Sequence, residues 1–299
     1  MQAELGRAVE RVIGSHTQRP ALIRDTRAVG GGCINQTFVV QLSDGRNYFV
    51  KANADPLDNM FAREAAGLSA LAEAGTIRVP VPVGHGGGAA GVPPFLVMEY
   101  IASARPGNAY GQMLGQGLAE LHLRTRSKRC GFSHDNYLGS SVQPNAWTSD
   151  WVVFWREHRL GHQLELARHN GLCDSEMARL GNALLARLPE LIADPDEPPC
   201  LLHGDLWGGN HMADERGCPV LIDPACYYGR READLAMTLV FGGFDSSFYQ
   251  AYEQTWPLAP GSEERLEIYK LYHLLNHLNL FGSSYRGACM QILRRHGSA

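Results

Sequence analysis

Residues 203–210 read His203-Gly204-Asp205-Leu206-Trp207-Gly208-Gly209-Asn210. Asn210 stands five positions after Asp205, so one short loop can aim both side chains at the same point. The aspartate offers a proton acceptor for an attacking hydroxyl. The asparagine offers a neutral oxygen ligand for a hard cation. Phosphoryl transfer needs both, because catalysis there is mostly positioning and charge neutralisation around the phosphates. Taken alone, His-Gly-Asp also describes a turn with a capping aspartate.

The flanking sequence adds to this reading. The spacing matches the kinase catalytic loop H-R-D-L-x-x-x-N, in which Asp takes the hydroxyl proton and Asn holds magnesium. Downstream, Val220-Leu221-Ile222-Asp223-Pro224 is an apolar strand ending in a carboxylate. Asp223 lies 13 positions after Asn210 (223 − 210), room for a strand, a turn at Glu215-Arg216-Gly217 and a return strand. It is placed to act as a second metal ligand. Its structural alternative is a strand-end Asp opening a turn. Upstream, Lys51 sits in Phe49-Val50-Lys51-Ala52, like the kinase strand whose lysine reaches the α- and β-phosphates. Glu64, on the following helix, is its expected ion-pair partner, although such a pair is also common in purely structural settings. Gly30-Gly31-Gly32-Cys33 can cover phosphates with backbone N–H groups or serve only as a turn. It fits neither the Rossmann nor the Walker pattern. The order of these signals along the chain carries more weight than any one of them.

That order implies a fold. A helix over 2–14 precedes the glycine turn. Two strands then flank Asp44-Gly45, a strong hairpin signal. An Ala/Leu-rich helix over 60–74 ends at Gly75, and Phe95–Ile101 reads as a buried strand. Residues 79–83 are Pro-broken and 85–94 read as a loop. Beyond residue 101 the spacing turns helical, over 110–122, 149–169, 175–188, 232–241, 245–254 and 263–281. The expected class is α+β, with two lobes: a nucleotide-binding lobe of small antiparallel sheet (1–101) and a larger, mostly helical lobe for catalysis and substrate (102–299).

Composition sets bounds on function. The chain has 299 residues, 44% hydrophobic and 19% charged, enough for a sizeable core. A net charge of −4 argues against a nucleic-acid partner. Seven widely spaced cysteines with no C-x-x-C pair argue against zinc ribbons and disulfide scaffolds. No apolar run approaches the length of a membrane span, and the N-terminus is an amphipathic helix start rather than a signal peptide. A cytoplasmic enzyme is expected.

Three segments carry a family resemblance: Leu202–Asn210, Asp223–Met237 (D-P-A-C-Y-Y-G-R-R-E-A-D-L-A-M) and Leu271–Gly282 (L-Y-H-L-L-N-H-L-N-L-F-G). Together they resemble the fructosamine kinase (ketosamine-3-kinase) family, within the aminoglycoside phosphotransferase and choline kinase-like group of the protein-kinase-like fold. The resemblance implies ATP- and Mg2+-dependent phosphorylation of the sugar 3-hydroxyl of a ketosamine, giving an unstable product that releases the amine. It also implies a preference for ribulosamines over fructosamines. The substrate is a free or protein-bound ketosamine. By motif match Asp205 is the base, Asn210 and Asp223 are metal ligands, and Lys51 and Glu64 anchor phosphate. Gly31, Gly32 and Cys33 cover the nucleotide, Met98 is the gatekeeper, and the backbones of Glu99 and Ile101 meet adenine. Asp234 braces the loop, and His203 orients it.

Several readings stay open at this level. Trp207 is either a platform for the sugar or amine, or a buried ring locking the loop. His273 and His277 are core or pocket-wall residues. Arg230, where relatives commonly carry His, bears on specificity if it reaches the substrate. Cys33 is either a redox switch, making the protein a monomer or a redox-dependent homodimer, or a small residue filling a turn. The rival functions are an aminoglycoside- or choline-type phosphotransferase and a non-catalytic nucleotide-binding regulator.

Overall fold

The computed structural model describes residues 1–30, 35–55, 57–88, 91–193 and 195–297. It divides into two compact units, Met1–Gly107 with Met212–Asp223, and Asn108–His211 with Pro224–Ala299.

The first unit is built on a five-stranded antiparallel sheet. Its strands are β1 (Ile23–Val29), β2 (Gln36–Leu42), β3 (Asn47–Ala52), β4 (Pro82–Gly86) and β5 (Phe95–Glu99), in the order β1-β2-β3-β5-β4. The β2–β3 hairpin turns at Asp44-Gly45, with Gly45 at φ +88°, a value that glycine adopts without strain. Alternation along β2 sends Phe38, Val40 and Leu42 inward, against Leu5, Val9 and Ile13 of α1 (Ala3–Thr17). Helix α2 (Met60–Ala74) ends at Gly75, whose N–H donates to Ala72 O in a left-handed cap. Part of the expected 85–94 loop is strand: β4 pairs with β5 from the sheet edge, where Pro82 at its first position costs no ladder bond.

The linear division near residue 101 differs from this partition in one respect. Residues 212–223 belong to the first unit because their hairpin, β9 (His211–Ala213) with β10 (Pro219–Leu221), bonds back to it. Ala104 N–H donates to Ala213 O, Gly107 N–H to Gly217 O and Leu221 N–H to Arg78 O. Arg78 also pairs with Asp214, Glu215 and Glu99.

The second unit is mostly helical: α3 (Tyr110–Arg124), α4 (Trp151–Trp155), a π-helical segment Arg156–Gly161, α5 (His162–His169), α6 (Ser175–Ile192), α7 (Glu232–Thr238), α8 (Ser246–Thr255), α9 (Ser262–Phe281) and α10 (Arg286–His296). A short hairpin, β6 (Asn136–Leu138) with β7 (Ser141–Gln143), and a two-stranded antiparallel sheet of the sequence-distant β8 (Cys200–Leu202) and β11 (Tyr227–Gly229) accompany them. Helices α3 and α8 approach so closely that a Cβ on Gly115 would stand 2.1 Å from Phe248 O. Around α4 and α9 the core is aromatic: Trp155 packs edge-on against Tyr269 and Tyr272. Helix α6 runs past Pro189, where the 175–188 reading stops. Proline removes the N–H that would bond Leu185 O, and Arg156 Nε supplies the missing donor at 3.1 Å.

Candidate active site

Each unit carries one part of the chemistry. In the first, Lys51 lies in β3, paired with Thr37 on one side and Leu96 on the other. The strand buries its side chain and delivers Nζ to two carboxylates, 2.6 Å from Glu64 Oε1 and 2.5 Å from Asp223 Oδ1. Burial opposes the ammonium charge, but Asp223 and then Glu64 outweigh it, so Lys51 titrates well above its ordinary range. Burial, aided by the Asp223 charge and opposed by Lys51, pushes Glu64 up. Asp223 itself is exposed and sits just beyond β10 at φ +56°. That left-handed conformation is tolerated by Asp better than by most residues and costs about 1–3 kcal/mol. Strained backbone of this kind concentrates at functional positions.

Met98 and Ile101 are buried. Glu99 is bound more firmly than a solvent-facing side chain: Arg78 Nη2 donates to its Oε1 at 2.7 Å, and Glu99 N–H donates to Val81 O. An adenine contact at Glu99 therefore falls to its carbonyl. Gly31, Gly32 and Cys33 lie outside the described residues.

In the second unit, β8 ends at His203 and the loop begins. Asp234, at the start of α7, accepts from the N–H groups of His203 (2.7 Å) and Gly204 (2.8 Å) with its two oxygens. Gly204 is at φ +82°, and a Cβ there would stand 2.0 Å from Ala225 O, so no other residue fits. Asp205 N–H donates to His203 Nδ1, and the Asn210 amide donates to both Asp205 O (2.8 Å) and Asp205 Oδ2 (2.9 Å). Asn210 and Asp205 are thus locked to each other, as their spacing implied. The amide nitrogen faces the loop. Trp207 is 38% exposed, its ring 5.6 Å from that of the exposed Phe241. It is not a buried lock.

One residue escaped the sequence reading. His122, fully buried in α3, sets Nε2 3.2 Å from Asp234 Oδ2 and Nδ1 2.8 Å from the hydroxyl of Tyr252 in α8. Burial works to raise Asp234, but His122 and then the loop N–H groups hold it below the usual carboxylate value. The signal for His122 was present: a histidine set between Leu121 and Leu123 in an apolar helix segment needs a buried partner. Arg230 is spent elsewhere. Its Nη1 donates to Ile192 O and Ala193 O at the end of α6, a helix C-terminus that favours positive charge. His273 is a core residue held neutral by burial, down to about 3. The half-buried His277 packs against Phe241 at 4.9 Å. The six described cysteines are free thiols, and Cys130, Cys200, Cys226 and Cys289 are buried.

Among the described residues no group of three or more His, Cys, Asp or Glu side chains could hold a metal ion, and no helix is long and apolar enough to cross a membrane. Asn210 and Asp223 instead offer hard oxygen donors in small number. Each is a hard oxygen donor of the kind magnesium prefers, Asp223 in the first unit and Asn210 in the second.

Known proteins match both the sequence and the fold. The family model described as fructosamine kinase matches residues 5–297. The chloroplastic protein-ribulosamine 3-kinase of Arabidopsis thaliana is 45% identical over 273 residues, covering 89% of this chain and 80% of that protein. A crystal structure from Thermobifida fusca YX-ER1, provisionally described as a fructosamine-3-kinase, matches with a TM-score of 0.85 at 32% identity, covering 96% of this chain and 97% of that one. A thermostable mutant of aminoglycoside phosphotransferase APH(4)-Ia, in a ternary complex with ADP and hygromycin B, matches with a TM-score of 0.66 at 14% identity, over 98% and 100% of the two chains. That last likeness extends to the fold alone, which is α+β and protein-kinase-like.

Proposed function

The chain belongs to the fructosamine kinase family, and we propose that it transfers the γ-phosphoryl group of ATP to the sugar 3-hydroxyl of a ketosamine, free or carried on a protein. The observation that carries this reading is the buried Lys51 held between Glu64 and Asp223. A lysine kept charged in a covered position is suited to a polyanionic ligand.

In this reading Asp205 accepts the proton of the attacking hydroxyl, and the bond from Asn210 holds its carboxylate in one rotamer. Lys51 anchors the α- and β-phosphates while Glu64 keeps it aimed. Asn210 and Asp223 would hold magnesium, which when bound neutralises charge on the β- and γ-phosphates. The Asp223–Lys51 pair places a candidate cation ligand beside the phosphate-anchoring ammonium. Trp207, exposed and continued by Phe241 and His277, supplies a surface for the sugar and its amine; an aromatic face also suits a protonated amine. The ribulosamine preference rests on the resemblance to the plant enzyme.

The test is ADP release coupled to substrate, over ribuloselysine, fructoselysine, kanamycin and choline. Release is expected with both ketosamines, and faster with ribuloselysine. Release with kanamycin or choline and none with either ketosamine would overturn the assignment.

A further inference from the structure

A chain of buried amides begins at Arg159 and ends on the backbone that the catalytic loop leans on. Arg159 lies in the π-helical segment and is fully buried, and among the described residues its hydrogen-bond partners are carbonyl oxygens of Pro144, His158 and Asn145 rather than carboxylates. Its guanidinium sits 3.9 Å from the ring centre of Tyr227 and 4.5 Å from that of Phe154. It donates to Pro144 O and His158 O through Nη1, and to Asn145 Oδ1 at 2.8 Å through Nη2.

An arginine can only donate. That fixes the Asn145 oxygen toward Arg159 and turns the Asn145 nitrogen toward Asn136 Oδ1 at 2.9 Å. The Asn136 nitrogen must then point onward, and it donates to Cys226 O at 2.8 Å. Gln143, opposite Asn136 in the β6–β7 hairpin, donates to Asn136 Oδ1 at 2.8 Å and to Ala225 O at 3.0 Å. Tyr272 donates to Gln143 Oε1 at 2.8 Å, and burial holds its phenol up at about 12, so it remains a donor. One cation therefore orients three amides, and the bonds polarise one another in the same direction. Asn136, Gln143 and Asn145 are all buried.

The two carbonyls gripped by this relay follow Asp223 in sequence. Ala225 N–H donates to His203 O at 2.9 Å, one residue before Gly204, where Ala225 O leaves so little room that an added Cβ would stand 2.0 Å from it. Ala225 cannot shift by a few tenths of an ångström without moving the peptide that leads into Asp205.

We propose that Gln143 and Asn136, oriented by Arg159, are positioning residues for phosphoryl transfer: they fix Ala225–Cys226 and through it the His203–Asp205 loop. The proposal rests on Asp205 being the base. A relay that only stabilised the fold would lower the melting temperature and leave kcat per folded molecule unchanged. A positioning relay separates kcat from KM, because a displaced base slows the chemical step while nucleotide binding persists.

Gln143→Met keeps the volume and removes all three bonds. Relative to wild type, and normalised to folded protein, it is expected to lose about tenfold to 10²-fold in kcat, with KM for ATP within about threefold. Tyr272→Phe removes the hydroxyl that donates to Gln143 Oε1 and so loosens the Gln143 side chain at one of its three bonds. It should lose at least about threefold in kcat with KM for ATP unchanged, and it decides the matter if Gln143→Met does not fold. Wild-type kcat in folded Tyr272→Phe or Gln143→Met, with Asp205→Asn inactive beside them, overturns the positioning role and leaves the base in place. Wild-type turnover in Asp205→Asn would overturn both.

Discussion

Asp205 and Asp223 are both carboxylates, but their surroundings set them apart. Asp205 is bonded to a neutral amide, Asn210, and Asp223 to a buried ammonium, Lys51. Substitution should separate the two roles. Asp205→Asn is expected to keep ATP affinity and lose about 10²–10⁴-fold in kcat, the range of a general-base contribution. Asp223→Ala is expected to lose turnover and weaken nucleotide binding as well, since it would remove the proposed cation ligand and leaves Lys51 with one carboxylate. Nucleotide titration beside steady-state kinetics checks both, and equal nucleotide affinity in the two variants would contradict the division of roles. At this scale the sequence was informative wherever chemistry demands a fixed spacing. The Asp205–Asn210 bond and the Lys51–Glu64 pair follow from motif order. His122 and Arg230 did not: a buried histidine's partner lies on another helix, and Arg230's charge goes to the end of α6, which no local pattern reveals.

Elements were legible where a period or a turn marked them. Asp44-Gly45 announced the β2–β3 hairpin and Gly75 the end of α2. The three-residue strands of the second unit have no periodicity to read. Pro189 reads as a helix stop because the proline rule is local, whereas its remedy is not: Arg156 comes from a different segment to satisfy Leu185 O. This gives a double-mutant cycle. Arg156→Met should cost about 1–3 kcal/mol by stranding that carbonyl. In a Pro189→Ala background the restored N–H can bond Leu185 O, so the same change should cost markedly less. Urea denaturation of the four proteins measures the coupling, and equal costs in both backgrounds would show that the Arg156 bond contributes nothing specific.

At the scale of the whole molecule, composition and motif order indicated an α+β kinase-like chain, but not that 212–223 would join the first unit. That return depends on bonds such as Arg78 to Asp214, whose partners lie 136 residues apart. Asp214 has a fully covered side chain, and the N–H groups of Cys218 and Arg216, with Arg78, hold it down at about 2, against 3.8 for an ordinary aspartate. A depressed carboxylate contributes stability above its unfolded value and loses it as pH falls toward its folded one. The melting-temperature gap between wild type and Asp214→Asn should therefore stay constant from pH 7 to about 4 and narrow between about 4 and 2. A gap that narrowed between pH 7 and 5 would assign the effect to another group.

The return of residues 212–223 also orders events during synthesis. The first 107 residues emerge early, yet the 104 residues from 108 to 211 (211 − 107) must follow before the hairpin that completes their unit exists. Until residues 214 and 215 leave the ribosome Arg78 lacks Asp214 and Glu215, and until Asp223 follows them Lys51 has Glu64 alone. The N-terminal unit therefore cannot finish folding in the order it is made, as N-terminal domains generally do. It waits for about three-quarters of the chain, residue 223 of 299. A polypeptide released before that point contains Lys51, the proposed phosphate anchor, but lacks both Asp223, which would secure it, and the loop's place in a complete chain, so early termination yields no partial enzyme.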